Sequence, residues 1–196
     1  MNFNDLLATY TNGIFDNLDE AATNQTGTLN SVYEILRSAR IVGRMVYLIG
    51  NGGSATLASH MATDLQLGGV RAVSLTDVAA VTTYMNDDGA SFCFRKQIKR
   101  LGREKDILIA ISTSGNSPNM IEGIWEALSQ GMLVIGMTGR DGGRMKTEFE
   151  GRFPGYISLH CATPPSTLAT PISQDLQQIV LHILTYALIE DSKKGN

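Results

Sequence analysis

Over the first forty residues, apolar positions recur at helical spacing. Leu6, Leu7, Tyr10, Ile14, Phe15 and Leu18 form one series, and Leu29, Val32, Tyr33, Leu36 and Ile41 form a second after a break at Asn24–Gly27. The pattern predicts two helices over residues 1–43, with more apolar surface than one small sheet can cover. Part of that surface is expected to meet another subunit. From Arg44 onward the texture changes to short apolar runs, each followed by a small-residue loop and then a helical pattern. The runs are Met45–Ile49, Ala72–Leu75, Ile107–Ile111, Leu133–Met137 and Tyr156–Leu159. Strands that alternate with helices predict an α/β core over residues 44–160, built on a parallel sheet covered on both faces. The unbroken Ile107-Leu108-Ile109-Ala110-Ile111 run suits a strand buried on both sides. The prolines at 164, 165 and 171 predict a loop over Cys161–Pro171, and a last long helix follows over residues 172–190.

Composition narrows the function classes. Of the 196 residues, 43% are hydrophobic and 18% charged, enough apolar content for one domain with a real core. The net charge of −3 argues against a broad surface for nucleic acid or anionic membrane. It leaves room for a local anion site made of backbone N–H and hydroxyl groups. Cys93 and Cys161 are far apart and form no C-x-x-C, so reduced thiols in a cytoplasmic protein are expected. The first residues show no basic segment leading into an apolar run, and no apolar run approaches a membrane span.

In an open parallel sheet, ligands sit beyond the carboxyl ends of the strands. Three loops at that edge stand out. Gly50-Asn51-Gly52-Gly53-Ser54 follows the first apolar run, and a helix start near Ser54 would aim its positive end at the same space. The third glycine of G-x-G-x-x-G is missing, which disfavours a dinucleotide. Ser112-Thr113-Ser114-Gly115-Asn116-Ser117-Pro118 brings four hydroxyls, a glycine and a helix start together, with Ser117 suited to the N-cap and Pro118 to the first helical position. A phosphate is the ligand such a turn favours. The lysine of a nucleoside-triphosphate P-loop is absent. The third loop, Thr138–Gly143, reads equally well as a connection or a ligand loop.

The chemistry-bearing residues lie on two helices. His60 and Asp64 are four apart on the helix after Gly53, close enough on one face to share a proton or a metal ion. His182 lies in the last helix with Gln174 and Gln178 upstream. Gln174 stands roughly 12 Å from His182 along the axis.

Gly50–Ser54, Ser112–Ser117 and Thr138–Gly143, in that order and spacing, resemble the sugar-isomerase (SIS) domain and, more narrowly, the phosphoheptose isomerase family. Leu101-Gly102-Arg103-Glu104 leading into Asp106 adds to the likeness, which spans nearly the whole chain. The resemblance implies a three-layer αβα sandwich with a five-stranded parallel sheet, and a cytoplasmic homotetramer with active sites at subunit interfaces. It implies an isomerase that interconverts sedoheptulose 7-phosphate and D-glycero-D-manno-heptose 7-phosphate for lipopolysaccharide or capsule heptose. By position, Asn51, Gly52, Gly53, Asp64, Asn86, Asp87 and Gln174 would bind the sugar, and Ser112, Thr113, Ser114 and Ser117 its phosphate. His60, Asp64, Gln174 and His182 fall on zinc-binding positions, and Asp64 and His182 are the acid/base candidates. Two departures stand out. The family has Glu at the position of Asp64, and Asp-Arg ahead of the glutamine where this chain reads Pro171-Ile172-Ser173-Gln174. The departures leave open an isomerase for another sugar phosphate, or a non-enzymatic SIS protein that binds a sugar phosphate or a protein.

Overall fold

The computed structural model describes residues 2–194. Helix α1 (Phe3–Ala21) opens with a reciprocal capping box between Asn2 and Asp5. Helix α2 (Thr26–Val42) ends at Gly43, whose left-handed conformation closes the C-terminus. The strands are β1 (Met45–Gly50), β2 (Arg71–Ser74), β3 (Ile107–Ser112), β4 (Leu133–Arg140) and β5 (Tyr156–Ala162). Between them run α3 (Gly53–Leu67), α4 (Val78–Asp88), α5 (Cys93–Leu101), α6 (Pro118–Ser129) and α7 (Gly143–Phe149), and α8 (Ala169–Lys194) follows.

The five strands form one parallel sheet in the order β2-β1-β3-β4-β5. Strand periodicity divides the apolar residues between its faces. Val46, Leu48, Ile107, Ile109 and Ile111 pack with the buried sides of α2, α3 and α8. Tyr47, Ile49, Leu108 and Ala110 pack with α5, α6 and α7 on the other face. The chain therefore leaves β1 toward one face and β3 toward the other. The carboxyl ends of these adjacent strands bound the switch-point crevice where such sheets hold ligands.

Both ends of the last connection differ from the sequence expectation. Strand β5 continues through Ala162 because β4, its partner, continues through Arg140. Helix α8 starts at Ala169, three residues early. Pro171 lies in its first turn, where a missing N–H costs no helical hydrogen bond. The segment expected to be loop is thus strand at one end and helix at the other.

On α1, Leu18, Tyr10 and Ile14 lean on the core, while Phe3, Leu7 and Phe15 are exposed. Among the described residues, no helix is long and apolar enough to cross a membrane.

Candidate active site

The glycine loop after β1 and the serine loop after β3 face each other across a cleft of about 300 Å³. Asn51, Gly52, Gly53, Ser112, Thr113 and Ser114 line it, and Ser117 and Gln174 complete it. Thr170, in the first turn of α8, also lines the cleft and was not singled out in the sequence. Asn119 is a second residue that sequence reasoning missed. Its side-chain amide and that of Asn51 exchange two hydrogen bonds of 2.9 Å, tying the glycine loop to the first turn of α6.

The serine loop is held from within and from behind. Ser112 Oγ accepts from the Gly115 amide at 3.1 Å, and Ser114 Oγ accepts from the Asn116 amide at 3.3 Å. Ser117 stands at the N-cap of α6, yet its hydroxyl caps no amide of the helix. That leaves it free for a ligand. Behind the loop, the Met145 amide donates to Gly115 O (2.9 Å) and the Arg144 amide to Asn116 Oδ1 (3.0 Å). The glycine-rich segment after β4 therefore buttresses the serine loop. Its expected start, Thr138, belongs to β4, where Thr138 Oγ1 meets His160 Nδ1 at 2.8 Å.

Helix α8 reaches the cleft because its neighbours allow close approach. A Cβ at Gly53 would stand 2.5 Å from Gln174 Nε2, so the bare glycine lets α8 settle onto the start of α3. The Pro171-Ile172-Ser173 departure has a structural use. Ile172 packs over Gly13 of α1. Fully buried Ser173 pairs with Thr163 Oγ1 at 2.9 Å and accepts from the Arg140 amide at 3.3 Å, pinning α8 to the end of β4.

From the cleft, α3 and α8 run side by side in the same direction. Gly53 faces Gln174, His60 faces His182, Asp64 faces Thr185, and Gly68 faces Leu188. Two turns below the cleft, roughly 10 Å along α3, the helices bring His60, Asp64 and His182 together. Their ligand atoms all lie within 4.8 Å of one another. His60 Nε2 is 3.1 Å from His182 Nε2 and 3.6 Å from Asp64 Oδ2. Two ligands of one tetrahedral zinc ion, each about 2.0–2.2 Å from the metal, stand about 3.4 Å apart. The spacing and the donor set, two imidazoles and a carboxylate, both fit such an ion.

Gln178 brings an amide to this cluster, with its Nε2 2.9 Å from His182 Nε2, while Gln174 stands against Gly53. A half-turn of that amide presents its oxygen at the same place. The spacing Gln174, Gln178, His182 is a four-residue stripe on one helix face, and that periodicity was the available signal. Asn86 and Asp87 do not join the cleft. They are exposed on α4, where Asn86 Nδ2 donates to Asp87 Oδ1 at 2.9 Å.

A model of the SIS domain matches residues 9–139. The chain is 39% identical over 173 residues to phosphoheptose isomerase 1 of Campylobacter jejuni, covering 84% of this chain and 87% of that one. The chain belongs to the SIS-domain family of phosphoheptose isomerases. Against the phosphoheptose isomerase of Klebsiella pneumoniae, identity is 33% over 201 residues, covering 95% of this chain and all of that one. The structure of phosphoheptose isomerase GmhA from Neisseria gonorrhoeae matches with a TM-score of 0.86 at 30% identity, over 95% of this chain and 98% of that one. The family's three-layer αβα sandwich is the architecture seen here, and the chain is an isomerase.

Proposed function

We propose that the protein interconverts sedoheptulose 7-phosphate and D-glycero-D-manno-heptose 7-phosphate. The observation that carries this reading is the separation between the hydroxyl cradle and the His60–Asp64–His182 cluster along the parallel α3 and α8. An extended seven-carbon chain with a terminal phosphate spans about 10 Å from phosphorus to C1, at about 1.25 Å of advance per bond along a zigzag of about eight bonds. That length matches the roughly two helical turns between Gly53 and His60. With its phosphate on Thr113, Ser114 and Ser117, such a substrate would lay C1 and C2 at the cluster.

Ketose–aldose interconversion moves one proton between adjacent carbons. A base takes the proton from C1 of the ketose, the electron pair forms the C1–C2 double bond of an enediol, and the C2 oxygen gains a proton. Reprotonation at C2 and loss of the proton on the C1 oxygen give the aldose. His182 is assigned the carbon proton and Asp64 the transfer between oxygens. Buried Asp64, with Thr185 Oγ1 at 3.5 Å, is held in place for that role. His60 and Asp64, with His182 when it is not acting on the carbon proton, would hold a zinc ion, which would supply an electrophile for the substrate's oxygens. Gln174, against Gly53, would orient the middle of the sugar.

The assembly belongs to the same proposal. Exposed Phe3, Leu7 and Phe15 on α1, with Ile183 and Tyr186 beside His182, support a homotetramer with shared active sites. Asn86 and Asp87 would then serve a neighbouring subunit's cleft. The two buried free cysteines suit a cytoplasmic setting, where the product would feed lipopolysaccharide or capsule heptose.

The direct test incubates the protein with sedoheptulose 7-phosphate in deuterated water, with and without added zinc. Aldose 7-phosphate carrying deuterium at C2 is expected. Absence of both product and exchange at high enzyme concentration overturns the reading. Light scattering should give four times the 21.2 kDa chain mass.

A further inference from the structure

At the opposite edge of the sheet, where β1, β2 and β3 begin, lies a second concavity of about 480 Å³. Arg44, Arg71, Arg100 and Arg103 line it, with Asp106 as the acidic group. Buried Asp106 is already satisfied, because its Oδ1 accepts from the Met45 amide (3.1 Å) and its Oδ2 from the Arg103 amide (3.0 Å). None of the four guanidinium groups makes an ion pair among the described residues. Arg71 donates to Gly43 O (3.0 Å), Arg44 to Glu104 O (3.4 Å), and Arg100 to the Tyr84 hydroxyl while lying over its ring. Elsewhere four of the six remaining arginines pair with carboxylates: Arg37 and Arg40 with Asp191, Arg95 with Glu122 and Glu126, and Arg144 with Glu148; Arg140 and Arg152 make no ion pair among the described residues.

Four like charges gathered around one concavity repel one another, and in a chain of net charge −3 nothing in the composition forces them together. Neutral acceptors, two backbone carbonyls and the Tyr84 hydroxyl, orient three of them and leave N–H groups to spare. Guanidinium forks are the side chains best matched to phosphate oxygens. Against one carboxylate, the four arginines leave an excess of three positive charges. A terminal phosphate carries about −1.5 to −2 near neutral pH, so a diphosphate group is the simplest ligand that balances the excess.

We propose that this arginine pocket is a binding site for a small diphosphate-bearing molecule, separate from the substrate cleft. Strand β1 links the two places: Met45 lies at the pocket and Gly50 at the cleft, roughly 16 Å apart at the strand rise. A ligand here leaves the phosphate cradle open.

The test is calorimetric titration of the full chain with pyrophosphate at low ionic strength, and in parallel with inorganic phosphate. One pyrophosphate per chain is expected, bound at least about tenfold more tightly than phosphate. Arg71→Gln with Arg103→Gln should weaken it about a hundredfold, at about tenfold per arginine. Ser114→Ala with Ser117→Ala, which damages the cradle, should leave it within about twofold. Arg71→Lys with Arg103→Lys keeps charge and fold but loses the fork, and should show an intermediate loss. Any of three results overturns the proposal: no stoichiometric binding, binding lost in the serine variant, or binding unchanged in both arginine variants.

Discussion

Gly115→Ala is the sharpest perturbation of the cradle. Gly115 has φ +63°, and a Cβ there would stand 2.0 Å from the carbonyl oxygen of Gly142. Backbone cannot swing aside as a side-chain end can, so one loop must retreat by at least about 1 Å to reach the closest distance real Cβ atoms tolerate. The left-handed conformation adds about 1–2 kcal/mol and the overpacking about 1–3 kcal/mol. A total near 3 kcal/mol should lower Tm by about 6–12 °C in a chain of this size. A 1 Å shift of the hydroxyls proposed to hold the phosphate should lower kcat/KM about a hundredfold. The assay is steady-state isomerisation beside thermal denaturation, with Gly43→Ala as the control. Gly43 also has positive φ (+74°), but nothing lies within 4 Å of its added Cβ. It should lose about 1 kcal/mol and no activity. If Gly115→Ala keeps wild-type kcat/KM, or loses no more stability than Gly43→Ala, the loop–loop contact does not shape the cradle.

The two glutamines of α8 should separate by function. On the proposed zinc site, Gln178→Leu is expected to weaken zinc binding about tenfold or more in chelator competition, while Gln174→Leu should raise KM without changing zinc binding; the reverse pattern would refute the placement. His160 predicts a pH effect. Burial, and then Lys146, hold its imidazole below the ordinary value of 6.5, so as pH falls the unfolded chain takes up this proton first. The stability associated with neutral His160 is complete above that value and declines as pH drops from it toward the folded pKa. His160→Gln, which keeps a partner for Thr138, should flatten the fall of Tm across that window, and an unchanged slope would show that the histidine is not responsible.

Much of this was legible in the chain. The apolar runs gave all five strands because a sheet covered on both faces demands nearly continuous apolar sequence, as in Ile107–Ile111. The two loops that line the cleft stood out because glycines cluster after the first apolar run and hydroxyls after the third, at the strand ends where such sheets hold ligands. The start of α8 was hidden because prolines punctuate loops and also fit a helix's first turn, and Pro171 does the latter. The pairing of Gln178 with His182, and of Asn119 with Asn51, depends on which helix lies beside which loop, and that is decided by packing across the sheet. For the same reason Ser173 looked like a lost Asp-Arg pair, yet it fastens α8 to β4.

The side-by-side course of α3 and α8 also sets a schedule. The cradle and the first half of the histidine cluster are encoded before residue 118, but Gln174 and His182 lie beyond every strand. A growing chain can complete its sheet on the ribosome while still lacking the glutamine proposed to orient the sugar and the histidine proposed to take the carbon proton. On the proposed assignment, reactivity would switch on only when the final helix slides along α3, so a partly made molecule would grip a phosphate but leave the sugar unchanged.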